Sequence, residues 1–198
     1  LVVFSWAVLI FTSGINIYFL FAIFLLGSFL LAYLIIYVPK FDYIQGRIFS
    51  FFNRETGSHN FQSDKAIDSI TSGGFFGKGI GEGTLKNRVP EAHTDYIISV
   101  ISEEFGIISI MLILFLFLTL IYMVFKKIRF ENDDMIKLIL IGSISLILMQ
   151  ATIHIGVNIR LLPTTGMTLP FLSYGGSSII STSILAGIIL NLTKRNVN

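Results

Sequence analysis

Four long apolar blocks fix what this chain can fold into: Ile17 to Val38, Phe105 to Phe125, Leu138 to Val157 and Ser177 to Thr193, none with an Asp, Glu, Lys or Arg inside it. A helix needs roughly 20 apolar residues to cross the hydrocarbon of a bilayer. Inside hydrocarbon the backbone must satisfy its own hydrogen bonds, which uncharged blocks of this length do as helices. The fold class that follows is all-α, a polytopic membrane helix bundle. A fifth block, Leu1 to Thr12, is apolar but short. It has no basic n-region and no small-residue cleavage site, so it reads as the end of a longer helix rather than a signal peptide. The expectation is a fragment, residues 1–198 as one integral membrane domain with about five transmembrane helices.

Composition agrees. The chain is 54% hydrophobic and 13% charged, against roughly 45–50% and about 25% in soluble domains. A net charge of +2 with no run of like charge argues against a nucleic-acid partner. With no cysteine, disulfides, Cys-ligated zinc and thiol nucleophiles are excluded. Lysine and arginine set the orientation: Lys126, Lys127, Arg129 and Lys137 flank one connector, and Lys194 and Arg195 the tail. The positive-inside rule puts both in the cytoplasm. The segments 39–104 and 158–176 then lie on the outer face. The seven Lys/Arg in the long loop do not overturn this, because loops beyond about 60 residues translocate largely regardless of charge.

Within that extracytoplasmic loop, Phe41 to Phe52 mixes aromatics with Lys40, Arg47 and Arg54. It is either an interfacial helix with a basic face or a solvated loop with buried aromatics. Ala66, Ile67 and Ile70 have helical spacing opposite Asp64, Lys65 and Asp68, which predicts a short surface helix over 62–71. A glycine cluster follows: Gly73, Gly74, Gly77, Gly79, Gly81 and Gly83. The Walker spacing around Lys78 fails because Ser stands at position 72. The two remaining readings are close approach of main-chain N–H groups to a bulky ligand and a mobile loop with no ligand.

Next, Pro90 fits the first turn of a helix, and Glu91 and Asp95, four apart, would share its face, with His93 pointing elsewhere. Two carboxylates so close do not ionise as easily as either alone, so one would hold its proton tightly enough to serve as a general base. The helix N-terminus opposes this, and capping by acidic residues is the alternative. Gln150, His154 and Asn158 recur every four residues and make one face of a membrane helix polar. Such a face meets the bundle interior or a wet cavity, with interhelical hydrogen bonding as the simpler role. Arg160 follows at its outer end, Pro163 to Gly166 and Pro170 prevent regular helix beyond it, and Ser173-Tyr174-Gly175-Gly176 opens the last helix. Irregular backbone at that depth is tolerated where it lines a cavity.

Three segments, SGGFFGKGIGEGTLK at 72–86, PEAHTDYIISVISEEFG at 90–106 and LLPTTGMTLPFLSYGGSS at 161–178, together resemble the SEDS family of bacterial shape, elongation, division and sporulation proteins. Its division branch, FtsW, is closer than its elongation branch, RodA. The resemblance covers essentially the whole chain, which matches the C-terminal half of a ten-helix member. His154, Arg160 and Thr165 depart from the family pattern, which has Asn, Gly and often Lys there. The resemblance implies a peptidoglycan glycosyltransferase that polymerises lipid II at the outer face of the bacterial cytoplasmic membrane, at the division septum. Its essential acidic residue corresponds to Asp95. Substrate contacts would then fall to Glu91, His93, Lys78, Lys86, Arg88, Gly77, Gly79, Gly81, Ser173, Tyr174 and Gly175. Charge on an undecaprenyl pyrophosphate leaving group calls for cations, from Lys78, Lys86, Arg88 or Arg160, or for a divalent metal. The implied partners are a class B penicillin-binding protein transpeptidase and other divisome proteins. A lipid II flippase and a non-catalytic scaffold are the rival functions.

Overall fold

The computed structural model describes residues 1–53, 58–89 and 92–194, apart from the side chains of Ser50, Asn53, Ser58, His59, Asn60 and Lys86. The described residues are helical and contain no strand. Among the described residues four helices are long and apolar enough to cross a membrane: α2 (Ile17–Tyr37), α7 (Ile107–Phe130), α8 (Asp134–Asn158) and α9 (Gly176–Lys194). α1 (Val2–Thr12) is apolar but has only 11 residues.

α7 and α8 run longer than their apolar blocks. Lys126, Lys127 and Arg129 sit inside the last turns of α7, where cations suit the negative end of the helix dipole, and only 131–133 remain as connector. Asp133 caps α8, its carboxylate accepting the Met135 N–H at 2.9 Å.

α8 is the central post. α1 and α9 pack along it, and it is the long helix with the most buried residues. Val124, Leu140, Ile144, Ile147 and Ile189 form its core with α7 and α9. Ile98, Ala151 and Leu169 join α8 to the loop structure above. Every residue of α2 stays accessible.

The end of the bundle that carries 39–106 and 159–175 has its own small core of Ala66, Leu85, Val89, Ala92, Tyr96 and Val157. It is built from a 3-10 turn (Pro39–Phe41), α3 (Asp42–Asn53), α4 (Ser58–Gly73), the single turn α5 (Leu85–Arg88) and α6 (Ile97–Phe105). The short helix expected over 62–71 is thus part of a 16-residue α4. Its buried stripe is Ser63, Ala66, Ser69 and Gly73 rather than Ile67 and Ile70. Small residues let α4 lie close on α6: a Cβ on Gly73 would sit 2.0 Å from the Ser102 carbonyl oxygen.

A helix opening at Pro90 is not what the fold adopts in the residues it describes. Residues 92–96 are turns and α6 begins at Ile97. Pro90 and Glu91 lie outside the described residues, as do Arg54 and Arg195.

Candidate active site

Asp95 stands just before α6, half-buried, at the wall of a cavity of about 360 Å3 lined also by Arg47, Gln62, Tyr96, Val157, Thr164, Thr165 and Gly166. A Cβ on Gly166 would lie 3.5 Å from Asp95 Oδ2. The loop 164–166 therefore runs directly against the carboxylate.

What holds the carboxylate there is a set of captured carbonyls. The His93 carbonyl accepts the Tyr174 N–H at 3.2 Å, and the Thr94 carbonyl accepts the Ser173 hydroxyl at 2.7 Å. The Asp95 carbonyl accepts the Asn158 side-chain amide at 3.0 Å. Three consecutive main-chain acceptors are thus satisfied from the 173–174 loop and from the end of α8. Ser173 Oγ also accepts the Leu169 N–H at 2.7 Å, so one hydroxyl ties 169, 173 and 94 together.

The polar face of α8 does the same for the loop above the cavity. Gln150 donates to the Thr168 carbonyl at 2.9 Å, the Thr168 hydroxyl at 3.1 Å and the Ser178 hydroxyl at 3.0 Å. His154 Nδ1 meets the Met167 carbonyl at 2.7 Å. These residues are engaged in packing loop to helix, the simpler of the two roles open from the sequence.

Two arginines fasten the roof. Arg47, from α3, donates from Nη1 to the Thr164 carbonyl at 2.8 Å and lies 4.6 Å from the centre of the Tyr43 ring. Arg160, in the left-handed region at φ 58, pairs with Asp64 of α4. Arg47 is the cation that shares the Asp95 cavity. The sequence had offered it only as part of a basic helix face, and nothing local marks it out, because the cavity is assembled from five separate stretches.

The glycine and lysine residues expected to meet a ligand are placed otherwise. α6 rises 1.5 Å per residue, so its two ends are about 12 Å apart. Asp95 is at its start and the 73–83 loop at its finish. Lys78 N and Gly79 N donate to the Glu103 and Glu104 carbonyls, and Ile107 N donates back to Gly74. A Cβ on Gly77 would fall 2.2 Å from the Glu104 carbonyl oxygen, at a φ of 78. The close neighbour that Gly77 admits is the backbone of α6. Gly79 and Gly81 adopt φ 114 and 82, and Gly79 meets only the Glu82 side chain at 3.6 Å.

Lys78 Nζ is likewise committed, 2.8 Å from Glu103 Oε1. Glu103 also accepts the Thr84 hydroxyl and the Leu85 N–H, both at 3.0 Å. Burial pushes the Glu103 carboxyl up, but these donors outweigh it and hold the group down at about 2. It is an ionised anchor that fixes the glycine loop to α6.

Of the remaining expected contacts, His93 and Tyr174 are exposed neighbours with ring centres 5.9 Å apart. Gly175 packs on Thr168, where a Cβ would come within 3.2 Å of the methyl group. Arg88 is exposed at the end of α5. Glu91 and the side chain of Lys86 lie outside the described residues. Among the described residues no three Asp, Glu or His side chains converge on a point that would hold a metal ion.

The chain matches, over residues 1–198, the family of cell cycle proteins that groups FtsW, RodA and SpoVE. It is similar to the probable peptidoglycan glycosyltransferase FtsW of Caulobacter vibrioides, 37% identical over 155 residues, 78% of this chain and 40% of that protein. The protein of the same name from Enterococcus hirae is 39% identical over 79% of this chain and 40% of its own length. That from Geobacter metallireducens is 38% identical over 83% and 45%. The chain thus spans less than half the length of these relatives. A solved structure described as "Structural coordination of polymerization and crosslinking by a peptidoglycan synthase complex" superposes with a TM-score of 0.66 at 27% identity, over 97% of this chain and 53% of that one. Family match, sequence identity and backbone agree, and this chain belongs to the FtsW/RodA/SpoVE family of cell cycle proteins.

Proposed function

We propose that this chain is the part of a peptidoglycan glycosyltransferase that carries its general base, Asp95, and that the whole protein polymerises lipid II for the septal wall in cell division. The observation that carries the reading is a half-buried carboxylate in a cavity shared with an arginine, the carbonyls of residues 93–95 each held by a hydrogen bond from another part of the chain. The names of the FtsW relatives support the same activity.

In the proposed step Asp95 accepts the proton of the acceptor sugar hydroxyl as that oxygen attacks the anomeric carbon of the donor glycan. The new bond is the glycosidic C–O bond. The bond that breaks joins the anomeric carbon to the pyrophosphate, and undecaprenyl pyrophosphate departs with inversion. Arg47 is the cation placed to meet the developing negative charge. Of the cations favoured from the sequence, Lys78 is paired with Glu103 at the far end of α6 and Arg160 with Asp64. The cavity is at the low end of the roughly 300–1,000 Å3 range of small-molecule sites, so it holds one end of a lipid-linked saccharide rather than all of it. His93 and Tyr174 offer the rest of the sugar an exposed ring surface just outside.

This reading places the 39–104 segment on the outer face of the bacterial cytoplasmic membrane. It gives the full-length protein a class B penicillin-binding protein as transpeptidase partner, which fits the synthase complex of the structural relative. Polymerisation of labelled lipid II by the full-length protein with its partner, wild type against Asp95→Asn, tests it. A flippase or a scaffold would keep its function in the Asn variant.

A further inference from the structure

At the end of the bundle opposite Asp95, the last turns of α7 form a groove of about 510 Å3 lined by Tyr122, Phe125, Lys126, Ile128, Arg129 and Phe130. The charges around it are not evenly matched. Lys127 is paired with Glu131 at 3.1 Å, with both side chains largely buried. Lys137 is paired with Asp134 at 2.8 Å. Lys126 and Arg129, which line the groove, make no ion pair among the described residues. Three apart, they lie on one side of the helix.

The depth of the groove is fixed by the helix. Ile107 opens α7, and Lys126 follows 19 residues later, about 28 Å along the axis at 1.5 Å per residue. That is close to the roughly 30 Å thickness of bilayer hydrocarbon. With Ile107 at one hydrocarbon boundary, Lys126 and Arg129 stand at the headgroup level of the opposite leaflet, and Tyr122 and Phe125 lie a turn deeper. Tyr122 and Phe125 are 67% and 58% exposed, so the groove has an apolar floor for acyl chains beneath two cations.

We propose that this groove is a binding site for one anionic phospholipid, with its phosphate between Lys126 and Arg129 and its acyl chains against Tyr122 and Phe125. Charge complementarity chooses the occupant, since a zwitterionic lipid brings a cation of its own to the same place. A basic flank that served only to orient the helix would treat Lys126, Lys127 and Arg129 alike. The Lys127–Glu131 pair makes them unlike, and it supplies the control.

The test is phosphatidylglycerol binding to the detergent-solubilised full-length protein, followed by native mass spectrometry with phosphatidylcholine as competitor. Each cation near an anionic lipid is worth about a five-fold change in affinity. The wild type is expected to prefer phosphatidylglycerol. Lys126→Gln with Arg129→Gln is expected to lose at least ten-fold of that preference, whereas Lys127→Gln keeps it. Both variants should still polymerise lipid II, which shows that they are folded. The proposal is overturned if the double variant retains the preference, if the wild type shows none, or if Lys127→Gln loses as much. Displacement of the lipid by free glycerol phosphate would also overturn it, by making this a phosphate site rather than a lipid site.

Discussion

The carboxamide of Asn158 replaces a helix hydrogen bond that Asp95 would otherwise make. In a continuous helix the Ser99 N–H would donate to the Asp95 carbonyl. Instead Asn158 Oδ1 accepts the Ser99 N–H at 3.3 Å and its hydroxyl at 2.7 Å, while Nδ2 donates to the Asp95 carbonyl at 3.0 Å. This side chain, fully buried at the end of α8, keeps Asp95 out of α6 and at the cavity wall. Asn158→Ala would leave three buried polar groups without partners, each costing about 1–3 kcal/mol. It is expected to lower thermal stability in detergent and to reduce polymerisation further than that loss accounts for. Asn158→Asp keeps the acceptor for Ser99 but turns a carboxylate oxygen toward the Asp95 and His154 carbonyls in a fully buried site, so it is expected to cost at least as much stability as alanine.

Glycines at the far end of α6 separate packing from ligand contact. At Gly77 and Gly106 an added Cβ would fall 2.2 Å from a carbonyl oxygen, at φ 78 in both. Alanine there is expected to destabilise by about 2 kcal/mol or more, since backbone must move. Gly27, inside α2 with nothing within 4 Å, should accept alanine with a gain of up to about 1 kcal/mol. Thermal unfolding of the three variants checks the ranking.

The Glu103 anchor carries a pH signature. Its folded carboxyl is held at about 2 against an unreacted value of 4.5. A depressed acid stabilises the fold fully above its unfolded value and loses that contribution as pH falls toward the folded one. The wild type should therefore lose on the order of 2–3 kcal/mol between about pH 4.5 and pH 2 through this group, a figure discounted for the partial exposure of Lys78. In Glu103→Gln that part of the acid dependence should vanish, as urea midpoints across the range would show.

Arg47 and Lys78 are both cations near the candidate segment, yet the account gives them different tasks. Arg47→Ala is expected to reduce polymerisation by at least about ten-fold, because it removes a charge from the Asp95 cavity. Arg47→Lys keeps the charge but not the fork that reaches Thr164, so it should recover only part. Lys78→Ala should lower stability with a smaller effect on turnover. Polymer yield set beside the melting temperature separates the two.

The spans were legible because a lone apolar block of about 20 residues has few other solutions in a membrane. Their ends were less so: α7 continues through Lys126 and Arg129, since cations are welcome at a helix C-terminus. The turn at 92–96 was hidden because the groups that capture the His93, Thr94 and Asp95 carbonyls come from residues 158, 173 and 174. No local pattern announces partners so far along the chain. Asp95 was a candidate with Glu91 from spacing and was chosen through the resemblance, whereas Arg47 as a cavity residue needed the fold. The glycine cluster read as close approach to a bulky ligand or as a mobile loop, whereas the close neighbour at Gly73 and Gly77 is α6 itself, which no local pattern shows.

The central claim is tested most directly by the length and amount of glycan made from labelled lipid II by the full-length protein, together with the proposed transpeptidase partner, when Asp95 becomes Asn. Removing a general base is expected to slow the reaction by about 10²–10⁴-fold, leaving no detectable polymer while the melting temperature stays near wild type. Polymer close to the wild-type amount from a folded Asp95→Asn protein would contradict the account.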